Sequence, residues 1–183
     1  MSRGLYRLDE YRDNCGFGLI AHIGGHASHN LLQKAIEALT CMTHRGGIAA
    51  DGKTGDGCGL LMQIPDTFFR DITQTQHHTS LPDRYAVGAI MFSNRREERE
   101  KARAVIESEM ARENLEVLAW REVPTNSQCL GEIALRTLPV LEHLFVGAPA
   151  DLDEKQFDAR LFVARRRTEK RLCTNKGFYI ASL

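Results

Sequence analysis

The 183-residue chain has no excess charge of either sign, its 24 Lys and Arg being balanced by 24 Asp and Glu. Such a balance gives no global pull toward nucleic acid or an anionic membrane, so any partner has to be read from a site. Long apolar runs are lacking too. None approaches the roughly 20 residues that span a bilayer, and the N-terminus carries no apolar block of the secretory kind, which reads as a cytoplasmic chain. Cysteine is sparse and scattered. The five residues at 15, 41, 58, 129 and 173 include no C-x-x-C pair, a distribution that fits reduced thiols and no metal centre rather than a disulfide framework or a zinc ribbon. What is present, 43% hydrophobic and 26% charged residues, is the composition of one globular domain with a substantial core.

Residues 1–14 are polar, show no hydrophobic period, and read as an arm that can be discarded. Gly16 to Ile23 is short and apolar and predicts a buried strand. Ser28 is a candidate N-cap for a helix whose apolar side is Leu32, Ala35, Ile36, Leu39 and Met42, running to the glycines of "HRGG" and so delivering His44 and Arg45 at its end. A glycine-rich loop, "GGIAADGKTGDGCG", leads to "CGLLMQI", a second predicted strand closed by Pro65. Beyond it the pattern changes. "YAVGAIMFS", "LEVLAWREV", "VLEHLFVGA" and "GFYIASL" predict four strands; Arg95 to Asn114 and Asp153 to Leu172 predict two helices, the second facing inward with Phe157, Leu161, Phe162 and Ala164. Two strand-helix-strand units in tandem suggest a ferredoxin-like β-α-β-β-α-β layer.

Three motifs match nucleotide or metal chemistry only in part. Gly47 to Thr54, "GIAADGKT", satisfies the phosphate-loop spelling, but such a loop leaves a strand and opens a helix, whereas this one leaves a helix and enters a strand. "GFGLIA" matches a dinucleotide fingerprint without the strand and helix it needs. His22, His26 and His29 lack a Cys, Asp or Glu nearby to complete a tetrahedron, and glycines break the helix that would align them. Cys15 admits two readings. It is an inert buried thiol, or it is a nucleophile whose base is its own α-amino group, freed by removal of residues 1–14; that amine has an ordinary pKa near 8, suited to relaying a proton. Gly16 and Gly18 would let substrate approach without Cβ obstruction.

"NCGFGLIAHI", "MTHRGGIAADGKTGDGCGLLMQIPDTFF", "VPTNSQCLGEIA" and "RLFVARRR" closely resemble the glutaminase region of glutamate synthase large chains, which are class II, N-terminal-nucleophile amidotransferases. The resemblance covers essentially the whole chain. It implies an α+β, four-layer αββα fold, here partial, with the ferredoxin-like layer as an insertion; residues 1–14 as a propeptide; and residues 15–183 as the first portion of the amidotransferase domain. It implies Cys15 as the nucleophile that forms a γ-glutamyl thioester and Arg45 as the arginine beside it, against a plain helix-end cation as the alternative for Arg45. Gly16 and Gly46 would touch substrate, and Lys53 and Asp56 would sit in a loop near the cysteine. No segment matches the family's substrate-carboxylate arginine or its oxyanion Asn-Gly pair. The partners implied are L-glutamine, the rest of the large chain and a small electron-supplying subunit; the cofactors are none in this region, with FMN and an iron-sulfur cluster in the full-length enzyme. Another class II amidotransferase, or a nucleotide-binding module using Gly47 to Thr54, are the alternatives.

Overall fold

The computed structural model describes residues 16–43 and 46–183, which divide into two compact units. Cys15, His44 and Arg45 lie outside the described residues.

The first unit takes in the described residues up to Met62 together with Leu130–Ala134. Its main element is helix α1, His29–Cys41, started by Ser28, whose side chain accepts from the Leu31 amide at 3.2 Å. The cap satisfies one of the amides that the first turn leaves without a helical acceptor. Leu32, Ala35, Leu39 and Met42 share the half-buried side, as the spacing predicts, whereas Ile36, expected with them, is exposed; the helix stops at Cys41 with Met42 as its C-cap, short of "HRGG". The two predicted strands of this unit do not form. Residues 16–23 and 58–64 have no ladder partner, and Phe17 and Leu61 are 94% and 95% exposed. An apolar run becomes a strand only when a neighbour takes its amides and carbonyls, and among the described residues none does.

The second unit, Gln63–Cys129 and Leu135–Leu183, holds an antiparallel sheet with helices. In chain order the elements after α1 are α2 (Asp66–His77), β1 (Tyr85–Phe92), α3 (Arg96–Arg112), β2 (Glu116–Glu122), the single turn α4 (Glu132–Leu135), β3 (Val140–Gly147), α5 (Glu154–Arg171) and β4 (Tyr179–Ser182); all but the first three residues of α4 lie in this unit. Strand order across the sheet is β2-β3-β1-β4. β1 and β3 run in unbroken register from Tyr85 opposite Gly147 to Phe92 opposite Val140, while a register shift between Val117 and Ala119 bulges β2. The four strands and both long helices match the sequence expectation to within two residues at every end.

Alternation along the strands sends Ile90, Phe92, Leu144, Val146 and Ile180 to one face, where α3 supplies Ala102, Ile106 and Met110 and α5 supplies Phe157, Leu161 and Ala164. Phe162 is a correction to the sequence expectation. It is 62% exposed, and the inward position one turn beyond Ala164 is filled by Thr168, fully buried. Residues 157, 161, 164 and 168 keep to one stripe at 3.6 residues per turn, and 162 falls about 100° away from 161. α5 is started by a reciprocal capping box between Asp153 and Gln156. On the opposite face of the sheet, α2 lays Phe69 against Phe145 and Leu81. α2 is not among the elements that the sequence pattern predicts. It is held by Arg70, which pairs with Asp66 at 2.9 Å and donates to the carbonyls of Leu81 and Pro82.

Candidate functional site

The site expected from the sequence is Cys15 and Arg45 with Gly16 and Gly46; of these the described residues include the two glycines. Gly16 lies in irregular chain at the start of the first unit, with Met42 Sδ 3.6 Å from where a Cβ would stand. Gly46 donates its amide to the Thr43 carbonyl at 3.3 Å, so the residue after Arg45 is tied back to the end of α1.

From Gly46 the chain enters a hairpin. The Gly47 amide donates to Asp56 Oδ2 at 2.7 Å, Ile48 and Gly55 form an antiparallel bridge, and the Ala49 amide donates to the Thr54 carbonyl at 2.7 Å. Gly52 turns the tip with φ +69°, a conformation that strains other residues. Asp56, expected in a loop near the cysteine, thus holds the hairpin shut at its open end; Lys53 contributes its backbone amide to Asp51 at 3.1 Å.

This geometry answers the phosphate-loop alternative. A phosphate cradle needs backbone N-H groups pointing at an empty concavity, ahead of a helix. Here the amides of Gly47, Ala49, Gly52, Lys53 and Thr54 all donate within the hairpin, and irregular chain follows. Two of the three histidines are likewise occupied locally: His22 Nδ1 accepts from the Gly24 amide at 3.1 Å and His29 Nε2 pairs with Gln33 at 3.0 Å. Among the described residues no three His, Cys, Asp or Glu side chains gather to hold a metal ion.

The residue that organises this region, Asp51, is one that no motif singles out. Its Oδ1 accepts from the amides of Lys53 and Thr54, at 3.1 and 2.8 Å, and Oδ2 accepts from the Thr54 hydroxyl at 2.6 Å and the Ile133 amide at 3.2 Å. The Thr54 hydroxyl oxygen in turn accepts from the Ala134 amide at 3.3 Å. Hydrogen bonds from the Thr54 hydroxyl, then from the Thr54 and Lys53 amides, hold the Asp51 carboxyl far below the usual carboxylate range, while desolvation opposes them. A carboxylate followed by amides at i+2 and i+3 is the Asx-turn pattern. The phosphate-loop spelling of the same residues masks it.

A family model for class-II glutamine amidotransferases matches residues 15–183. The chain is 39% identical over its full length to the NADPH glutamate synthase large chain of Bacillus subtilis, covering 12% of that protein. It is 39% identical over 96% of its length to ferredoxin-dependent glutamate synthase 2 of Synechocystis, covering 11%, and 33% identical over 99% to the NADH glutamate synthase of Saccharomyces cerevisiae, covering 9%. This chain therefore corresponds to a small part of each relative. With the family match running from Cys15 to Leu183 and similarity to three glutamate synthases along nearly the whole sequence, the chain belongs to the class-II glutamine amidotransferases.

Proposed function

We propose that this chain is the glutaminase part of a glutamate synthase, and that it feeds ammonia to the amination of 2-oxoglutarate to glutamate. The observation that carries the proposal is where the family match begins: on Cys15, the residue that the arm of residues 1–14 precedes. With the arm removed, the α-amino group takes the thiol proton while Sγ attacks the side-chain carbonyl carbon of glutamine. The C–N bond breaks, the departing nitrogen receives the proton and leaves as ammonia, and the γ-glutamyl thioester is hydrolysed by water to glutamate and free thiol. Arg45 stands beside the nucleophile in this reading, and Gly16 and Gly46 leave room for substrate.

The finer architecture belongs to the same proposal. The element order β-α-β-β-α-β with strand order β2-β3-β1-β4 supports a ferredoxin-like layer, inserted in a four-layer αββα domain of which residues 15–183 are the first portion. Reductive amination of 2-oxoglutarate with ammonia takes two electrons from an external donor (NADPH, NADH or reduced ferredoxin), which FMN and an iron-sulfur cluster would relay in the longer enzyme, with a small subunit as their entry point. The described cysteines 41, 58, 129 and 173 are free and do not cluster, so no ligand set for such a cluster is formed by them. The enzyme works in the cytoplasm on this reading; among the described residues no helix is long and apolar enough to cross a membrane.

The test uses the full-length protein. Intact-mass analysis is expected to place Cys15 at the mature N-terminus, and Cys15→Ala and Arg45→Ala are expected to abolish or depress glutamine-dependent glutamate formation while ammonia-dependent formation survives. A fully active enzyme that retains residues 1–14 would refute the mechanism.

A further inference from the structure

We propose that Asp51 is a positioning residue for the amide-cleaving reaction, acting through a latch that fastens the hairpin after Arg45 to residues 130–134; this rests on the glutaminase reading above. Apart from that latch the hairpin is poorly braced, since Gly46, Gly47, Ile48, Gly52, Lys53, Gly55 and Gly57 are all exposed. A mainly exposed, glycine-rich loop has many conformations to lose and little burial to hold it. Its open end is fixed by Asp56 on Gly47, two residues after Arg45, and its tip by Asp51 on Ile133. Both ends must be held for Gly46 and Gly47, the two residues that follow Arg45 in the sequence, to stay in one place.

The close approach is built into the sequence at a third position. A Cβ on Gly131 would stand 2.3 Å from Asp51 Oδ2, 2.4 Å from Thr54 Oγ1 and 2.7 Å from the Thr54 amide nitrogen. Those distances are too short for any side chain, so residue 131 has to be glycine if Asp51 and Thr54 are to reach the Ile133 and Ala134 amides. The carboxylate, the hydroxyl and the missing side chain come from "DGKT" and "LGEIA", stretches about 80 residues apart in the chain. None of the three groups has to touch substrate.

The latch can be broken without dismantling the hairpin turn. In Asp51→Asn the side-chain oxygen still accepts from Lys53 and Thr54, but the amide nitrogen replacing Oδ2 meets the Ile133 N-H donor to donor. Gly131→Ala pushes the same groups apart from the other side, and Thr54→Val removes the acceptor for Ala134 while Thr54→Ser restores it. In the full-length enzyme the first three variants are expected to lose about 10- to 100-fold in glutamine-dependent turnover, because misplacement of reacting groups by about 1 Å costs on that order. Ammonia-dependent glutamate formation in the same samples is expected to be unchanged, the loss is expected in kcat more than in KM for glutamine, and Thr54→Ser is expected to recover the wild-type ratio of the two activities. A purely structural role would lower the melting temperature and leave that ratio intact; wild-type ratios in Asp51→Asn and Gly131→Ala would overturn the proposal. A wild-type enzyme without glutamine-dependent turnover would instead overturn the glutaminase reading on which it rests.

Discussion

Glu109 is a fully buried carboxylate on α3 that meets two guanidinium groups, Arg171 of α5 at 2.7 Å and Arg112 of its own helix at 3.3 Å. A buried charge is tolerable only when paired and hydrogen-bonded, and here Oε2 has no hydrogen-bond partner among the described residues, so the pairing rests on Oε1 and its two guanidinium contacts. That hydrogen bond is the main reason the Glu109 carboxyl titrates below its ordinary range, with desolvation opposing it and Arg112 assisting. A depressed folded-state pKa contributes stability above the unfolded value, near 4.3 for Glu, and loses it as pH falls through the lower folded value. Arg171→Ala is therefore expected to destabilise the protein by about 1–3 kcal/mol at neutral pH, and the gap from wild type is expected to close as the pH is lowered into the acid range. Denaturant midpoints of the two proteins along a pH series check this; a constant gap would mean that Arg171 acts through packing of its stem. Glu142 on β3 is likewise fully buried and paired, with Arg103 at 2.5 Å, whose guanidinium also lies over the Trp120 ring at 5.1 Å.

At the scale of elements, neighbouring residues on α5 separate periodicity from composition. Leu161 is buried against the sheet, whereas Phe162, the larger hydrophobe, is 62% exposed. Leu161→Ala is expected to cost about 2–5 kcal/mol, as buried Leu truncations do, and Phe162→Ala to fall within about 0.5 kcal/mol of wild type, as surface changes do; urea midpoints of the two variants decide it. The same contrast tells what can be read from a sequence. The βαββαβ unit is legible because its strands alternate and its helices carry apolar residues at three- and four-residue spacing, so each element announces its own buried face. α2 is not legible: "DTFFRDITQTQH" offers Phe69, Ile72 and Thr73 as its stripe, and its stability comes from Arg70 reaching two carbonyls eleven and twelve residues on. The strands expected at 16–23 and 58–64 fail for the opposite reason, because an apolar run records a tendency to be buried and is silent about the neighbour that satisfies it. Of the candidate site, Cys15 and Arg45 are expectations from motif resemblance and lie outside the described residues, while the meeting of Asp51, Thr54 and Gly131 is long-range and no local spacing encodes it.

For the whole molecule, the first unit leaves Phe17, Leu19, Ile23 and Leu61 almost fully exposed, and Leu60 and Met62 about half exposed. Apolar side chains in that number on two stretches of irregular chain are a surface that other protein has to cover, or that drives association. The second unit adds β4, a short edge strand whose Tyr179 is 60% exposed and whose far side has no ladder partner among the described residues. Cleaving the glutamine amide also needs donors for the tetrahedral oxyanion and a clamp on the substrate carboxylate, and no segment of the chain resembles the family's residues for either task; loss of one oxyanion donor alone costs about 10² to 10³ in rate. The 183-residue chain on its own, freed of residues 1–14, is therefore expected to self-associate and to release ammonia from glutamine far more slowly than the full-length enzyme. Light scattering after size exclusion reads the first expectation and an ammonia assay the second. An electrophilic glutamine analogue separates the two causes of failure: slow, non-saturable modification of Cys15 indicates a nucleophile without its pocket, and saturable modification with ammonia release at the full-length rate would refute the expectation and mean that residues 15–183 hold a complete site.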